Sequence, residues 1–392
     1  MSGYTQSYVS GLSNVELIGE TIGEHFDKAV GRWGSQDALV IPFQNVSWNW
    51  NELKKQVDNL AKGLIQLGLQ PGDRIGIWSP NNKEWVLTQF ATAKAGLILV
   101  NINPAYRLSE LEFAINKVEC RALITASKFK TSDYISMISE LAPELVGSQP
   151  GQLQSKRMPS LQYLIQIGDK HAGMFSFKEI IEFGESESDD SLDEIGKNLQ
   201  FDDPINIQFT SGTTGTPKGA TLTHHNILNN GYFIGEKFGL NEKDRMCIPV
   251  PLYHCFGMVI GNLACMTHGT AMIYPSESFE ALATLETIES QSCTGVLGVP
   301  SMFIAMLQHQ NLNSFDFSSL RTGMMAGSPC PIEVMKEVTD KMNLREMTIG
   351  YGMTETSPVS TQTDLDDSLE HRVASVGRVH PYVEIKIVDE SG

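Results

Sequence analysis

Asn51-Glu-Leu-Lys-Lys-Gln-Val-Asp-Asn-Leu-Ala-Lys-Gly-Leu-Ile-Gln-Leu67 is followed within a few residues by Pro71-Gly72-Asp73 and then by Arg74-Ile-Gly-Ile-Trp78. In the first segment Leu53, Val57, Leu60, Leu64 and Leu67 recur at three- and four-residue steps, which gathers them on one face of a helix. Gly68 closes that helix, the Pro-Gly-Asp turn reverses the chain, and residues 74–78 read as a short apolar strand. A second helix over about Lys83 to Ala95 leads to a second strand over Leu97 to Val100. Helices alternating with short apolar strands are the pattern of parallel βαβ units, so the chain is predicted to be an α/β protein.

The alternation extends in both directions from this stretch. Ser109 with Glu112 three residues on suggests a capping box, and Ala122-Leu-Ile-Thr125 a further buried strand. Gly147 to Arg157 reads as an exposed loop, and the acidic, serine-rich run Glu185 to Glu194 as a solvated linker. A second alternation follows, with strands expected near Met246 to Val250, Ala271 to Tyr274 and Gly295 to Gly298. His224 and His225 read as a helix start. Val383 to Asp389 alternates like a strand that needs a partner. The expected division is a first α/β subdomain over 1–200 with a linker at 185–200, and a second over 201–345 carrying the phosphate loop. Residues 346–392 then open a β-rich subdomain.

Composition removes several classes of function. Of 392 residues, 29 are Lys or Arg and 46 are Asp or Glu, a formal net charge of -17. A nucleic-acid partner needs a basic footprint, so none is expected; a small phosphate ligand needs only a few local donors. The six cysteines form no C-x-x-C pair, which fits reduced thiols rather than a disulfide framework or a zinc site. No apolar run approaches the ~18 residues of a membrane span, and the N-terminus resembles no targeting segment. The expected location is the cytoplasm, bacterial by preference, or the mitochondrial matrix as a mature form lacking its transit peptide.

The chemistry-bearing segment is Thr210-Ser211-Gly212-Thr213-Thr214-Gly215-Thr216-Pro217-Lys218-Gly219. A triphosphate needs many short donors at once. Glycines let backbone N–H groups approach, hydroxyls add donors, and a lysine adds charge. A mere Gly/Thr-rich turn is the alternative. The P-loop form is excluded because Pro217 stands where it requires glycine, and Gly350-Tyr-Gly-Met-Thr-Glu355 ends in glutamate where a dinucleotide fingerprint requires glycine.

This loop resembles the phosphate-binding motif of the adenylate-forming superfamily, and further matches follow in that family's order. They are Pro251-Leu-Tyr-His-Cys-Phe-Gly257, Gly298-Val-Pro-Ser-Met-Phe303, Leu320-Arg-Thr-Gly-Met-Met-Ala-Gly-Ser-Pro329, Gly350 to Glu355, and Ser375-Val-Gly-Arg378. The likeness covers essentially the whole chain and is closest to a medium-chain group of fatty acyl-CoA synthetases, acyl-CoA synthetase family member two. It implies the large N-terminal domain of that fold, two αβ-layered sheet subdomains with a smaller distorted β-barrel, without the C-terminal domain. It also implies an acid–thiol ligase using ATP, Mg²⁺ and coenzyme A on a fatty acid of medium length. Thr210, Ser211, Gly212, Thr213, Thr214, Gly215 and Lys218 would hold the phosphates. Gly327, Ser328 and Pro329 would line one face of adenine, with Tyr351 stacked on the other, and Gly350, Gly352 and Met353 would belong to the same nucleotide site. Thr354 would contact the α-phosphate and Glu355 the metal, and these two with Lys218 would carry catalysis. His254, Phe256, Val299 and Met324 would line the acyl pocket.

The likeness also implies a hinge, a ribose-binding aspartate and a C-terminal lysine, and the T-G-D and G-R-x-K-D segments that carry them do not occur by Gly392. The chain is therefore expected to be the N-terminal part of a longer synthetase, impaired in adenylation. A ligase that loads a carrier protein and a non-catalytic nucleotide- or acyl-binding module are the alternatives. Ile349 departs from the polar residue that many relatives place there.

Overall fold

The computed structural model describes residues 7–210 and 217–389. Two large sheets organise the chain. The first places Phe175–Ser176, Tyr163–Gln166, Ala122–Thr125, Arg74–Trp78, Ile98–Asn101, Pro204–Thr210 and Lys218–Thr223 side by side. All neighbours are parallel except the last pair, a hairpin of Pro204–Thr210 with Lys218–Thr223. The second has six parallel central strands, Glu346–Gly352, Thr322–Ala326, Gly295–Gly298, Arg245–Cys247, Ala271–Ile273 and Asp37–Ile41. Val46–Asn49 closes one edge antiparallel, and Val359–Gln362 with Arg378–Val379 the other.

Three apolar clusters show how the layers stack. The largest lies between the sheets, where Ile75, Ile77 and Leu99 of the first and Met246, Met272 and Met324 of the second pack on shared helices. Outside the first sheet, Leu123 and Val100 pack on the helices Leu108–Lys117 and Tyr134–Leu141. Outside the second, Val296 and Met325 pack on Ala281–Ser290 and Ile332–Met342. Strands buried on both faces must be apolar at successive positions, which explains the short continuous runs seen in the sequence. Among the described residues no helix is long and apolar enough to cross a membrane. The six cysteines are unpaired, and five are buried.

Most elements fall where the periodicity puts them. Trp50–Gln66 is a helix capped by Asn49, whose side chain accepts from the Glu52 N–H while Glu52 reaches back. Lys83–Ala95 and Arg74–Trp78 match their expected limits. His224 opens the helix His224–Phe238, capped by Thr223. The strand Glu384–Lys386 finds its partner in the chain's own Tyr8–Ser10.

Three expectations are corrected. Ser109 is inside its helix rather than at the cap: Leu108–Lys117 starts earlier, with Glu110 accepting from the Arg107 N–H at 3.1 Å. The acidic run is not a linker. Asp190–Asn198 is helical, with acids in its first turn and Lys197 in its last, as the helix dipole favours, and it is pinned by buried Leu192 and the Lys62–Asp189 ion pair. The division at residue 201 also fails. Residues 204–210 and 218–223 belong to the first sheet and residues 37–49 to the second, so the chain crosses between sheets; strands within residues 346–379 extend the second.

Candidate active site

The described part of the phosphate segment is a hairpin base. Thr210 ends one strand, Lys218 begins the next, and the two pair across the register. Ser211, Gly212, Thr213, Thr214 and Gly215 lie outside the described residues. The Thr210 hydroxyl donates to Glu355 Oε1 at 3.0 Å, so two sequence segments 145 residues apart meet at this point. Glu355 is exposed on the short 3₁₀ turn Thr354–Thr356, while Thr354 beside it is buried at 7% exposure and faces a cavity.

That cavity has a volume of about 720 Å³ and lies at the carboxyl ends of the second sheet's strands, the usual place for a ligand in an α/β sheet. Ala326, Gly327, Ser328 and Pro329 form one wall, and Gly350, Tyr351, Gly352 and Met353 another. Buried Phe256 and Met324 close its inner end, and His254, more exposed, also lines it. Tyr351 is 51% exposed, leaving its ring open to a flat partner. The glycines are structural requirements. Gly327 sits at φ 89°, and a Cβ there would stand 3.2 Å from Val299 Cγ1. At Gly352 a Cβ would stand 1.8 Å from the Pro358 carbonyl oxygen.

Val299, expected in the acyl pocket, stands half-buried at the head of the helix Pro300–Leu307, packed beside Gly327 on the apolar cluster that holds Phe256 and Met324, without lining this cavity. Lys218 is likewise exposed at the hairpin and outside that lining. Met324 and Met325 point to opposite sides of their strand, the first into the cavity and the second into the outer core. Ile349, the departure from the common pattern, is buried at 6% exposure and contributes an apolar wall.

Sequence reading missed Ile260, Cys330, Val359, Val373 and Val376, which also line the cavity. Ile260 is on a π-helix, Phe256–Leu263, whose wide turn no 3.6-residue periodicity signals.

Electrostatics at the inner end favour neutral groups. The His254 Nδ1 accepts from the Phe256 N–H at 3.1 Å, which assigns its proton to Nε2. Its ring opens onto the cavity yet is crowded by protein on its other sides, and that desolvation holds its pKa below the ordinary value. Burial pushes the Cys255 thiol up to about 12, so it stays a neutral donor, and its Sγ–H donates to Gln208 Oε1 at 3.1 Å. Asp364, Asp366 and Asp367 are the acidic trio among the described residues; none lines the cavity, and Arg378 and Lys237 hold two of them.

The chemistry of this set fits a magnesium–nucleotide. A hard carboxylate, Glu355, and a hydroxyl, Thr210, stand beside the glycine-lined wall, the mixture that Mg²⁺ and phosphate oxygens use. The fold and site together define an α/β protein with a glycine-walled cavity and an apolar annex. The chain belongs to the AMP-binding enzyme family, whose model matches residues 26–392. It is similar to the mitochondrial medium-chain acyl-CoA ligase ACSF2 of Danio rerio, 46% identical over 387 residues, covering 98% of this chain and 64% of that one. The ACSF2 ligase of Homo sapiens is 40% identical over 390 residues, covering 98% and 63%. The chain thus spans just under two thirds of the length of these relatives. Among solved structures, the anthranilate CoA ligase AuaEII in complex with anthranoyl-AMP superimposes with a TM-score of 0.83 at 22% identity, over 97% of this chain and 68% of that one. The N-terminal domain of FACL13 from Mycobacterium tuberculosis gives 0.78 at 22% identity, over 92% and 82%. At that identity the two structures support the fold alone.

Proposed function

We propose that the chain carries the adenylation site of an ATP-dependent, AMP-forming ligase that joins a medium-chain fatty acid to coenzyme A. One observation carries this reading: the Thr210–Glu355 hydrogen bond joins the phosphate hairpin to the mouth of a cavity whose inner end is apolar. A nucleotide phosphate and an acyl carboxylate can then meet at Thr354.

In this reading Thr210 and Lys218 hold the outer phosphates together with Ser211, Gly212, Thr213, Thr214 and Gly215. Tyr351 and the Gly327–Pro329 wall sandwich the base. Thr354 donates to the α-phosphate, and Phe256, Ile260 and Met324 bury the alkyl chain, each methylene contributing ~0.8 kcal/mol. A carboxylate oxygen attacks the α-phosphorus, the bond to the β-phosphate breaks, and pyrophosphate leaves. Mg²⁺ at Glu355 would neutralise charge on the departing phosphates. The coenzyme A thiol, giving up its proton, then attacks the acyl carbonyl of the acyl-adenylate, the bond from that carbon to the phosphate oxygen breaks, and AMP leaves as the thioester forms. The low pKa of His254 keeps it neutral, so it offers an N–H to the carboxylate without a competing charge.

The test is a panel of saturated acids from short to long, assayed for ATP-dependent pyrophosphate release and for the thioester. An optimum at medium length with coenzyme A as acceptor supports the reading. Transfer to a carrier protein instead would correct the acceptor, and failure of every carboxylate in the panel to bind beside the nucleotide, read by titration calorimetry, would remove the ligase assignment.

A further inference from the structure

Behind the cavity lies a closed ring of buried hydrogen bonds that the chemistry above leaves without a role. Gln208 Nε2 donates to Asn206 Oδ1 at 2.9 Å and to the Met258 sulfur at 3.0 Å. Asn206 Nδ2 donates to Asn101 Oδ1 at 2.9 Å, and Asn101 Nδ2 donates back to the same sulfur at 3.2 Å. The remaining N–H groups go to the Leu99 and Tyr253 carbonyls, at 3.0 and 3.1 Å. Every amide donor is used, and all four residues are at most 3% exposed.

Stability does not require such a ring, since apolar side chains of similar shape would cost little in a core. Its geometry does something that an apolar core cannot: it fixes direction. Asn206, Gln208 and Thr210 share one face of their strand, because side chains alternate, and Thr210 is bonded to Glu355. The same Gln208 accepts from Cys255, the residue before Phe256, and grips Met258 on the π-helix that presents Phe256 and Ile260 to the cavity. Gln89 secures the same helix from behind, donating to the Met258 carbonyl at 3.0 Å.

We infer that Gln208 is a positioning residue that couples filling of the apolar end of the cavity to filling of its phosphate end. The inference rests on the ligase reading above. Displacement of the Phe256 wall by an alkyl chain pulls on Cys255 and Met258. Through Gln208 that displacement is felt on the strand face that ends at Thr210, and a nucleotide held at Thr210 and Glu355 sets the wall in return. Removing the amide leaves Asn206 Oδ1, the Met258 sulfur and the Cys255 thiol without it, and disconnects the two ends.

The test uses the full chain, octanoate, and magnesium α,β-methylene-ATP, which cannot release pyrophosphate. Titration calorimetry gives each Kd alone and with the other ligand saturating. The parent is expected to bind the nucleotide about fivefold or more tighter with octanoate present, and in Gln208→Leu that ratio should fall below about twofold while each ligand alone shifts less than about threefold. Met258→Leu conserves volume and removes only the sulfur acceptor, so it is expected to reduce the ratio as well and decides the matter if Gln208→Leu does not fold. A variant that weakens both ligands alone but keeps the ratio would overturn the inference, as would a parent that binds both ligands with no coupling. A parent that binds neither ligand would instead overturn the ligase reading.

Discussion

Met324→Ala offers the sharpest trial of where the alkyl chain lies. Met324 is fully buried yet lines the cavity, and its sulfur and terminal methyl lie 2.9 and 2.8 Å from the point where a Gly350 Cβ would stand. Truncation removes the γ, δ and ε atoms at the inner end, space for about two methylenes. Loss of packing should lower stability by ~2 kcal/mol, the small end of the range for such changes, because the space opens into an existing cavity. An acid two carbons longer than the longest that the parent accepts would regain ~0.8 kcal/mol per methylene, or about 15-fold in affinity. Titration calorimetry across even-numbered saturated acids, with a denaturant melt for stability, measures both effects. The expected result is an optimum shifted upward by about two carbons. A uniform loss across all lengths, with the optimum unmoved, would refute this placement of the chain.

Other perturbations act at separate points. Gly352→Ala forces a Cβ against the Pro358 carbonyl, a backbone group that cannot step aside, so thermal melts should show a marked loss of stability and nucleotide titrations a loss of binding. Glu355→Gln keeps an acceptor for Thr210 but removes the charge. Affinity for the magnesium–nucleotide should fall about tenfold or more, while AMP without metal binds as before. Burial lowers the pKa of both His224 and His380 to about 4 from 6.5. Between those values the unfolded chain binds more protons than the folded one, so stability falls as pH drops through that window, by roughly 2 kcal/mol per ring between pH 7 and 5. Urea titrations at the two pH values measure this, and His224→Gln should remove its share; an undiminished slope in that variant would show that the ring is not held neutral.

How much of this could be read from sequence depended on how local each signal was. The helix Trp50–Gln66 and the strand Arg74–Trp78 depend on residues a few positions apart, and they appear as expected. The glycine wall was expected only through the family resemblance, and the structure adds why Gly327 and Gly352 must be glycine: a positive φ at the first and the Pro358 carbonyl against the second. Pairings across the fold were not. Nothing local announces that Pro204–Thr210 joins the first sheet, or that Asp37–Ile41 joins the second. Asn101, Asn206 and Gln208 fall in no motif, and only their burial in the folded chain shows that they bond one another. The acidic helix Asp190–Asn198 was hidden by composition, although its charges are ordered as a helix dipole prefers.

The central claim is that one continuous cavity receives both the nucleotide and the acyl chain. A non-reactive octanoyl-adenylate analogue, with a sulfamate in place of the phosphate, tests it most directly by competition against AMP and against octanoate. The expected result is that one equivalent of the analogue excludes both ligands and binds at least about a hundredfold tighter than either, since the two halves are linked. An analogue that displaces AMP while octanoate remains bound would place the acyl chain elsewhere and contradict the account.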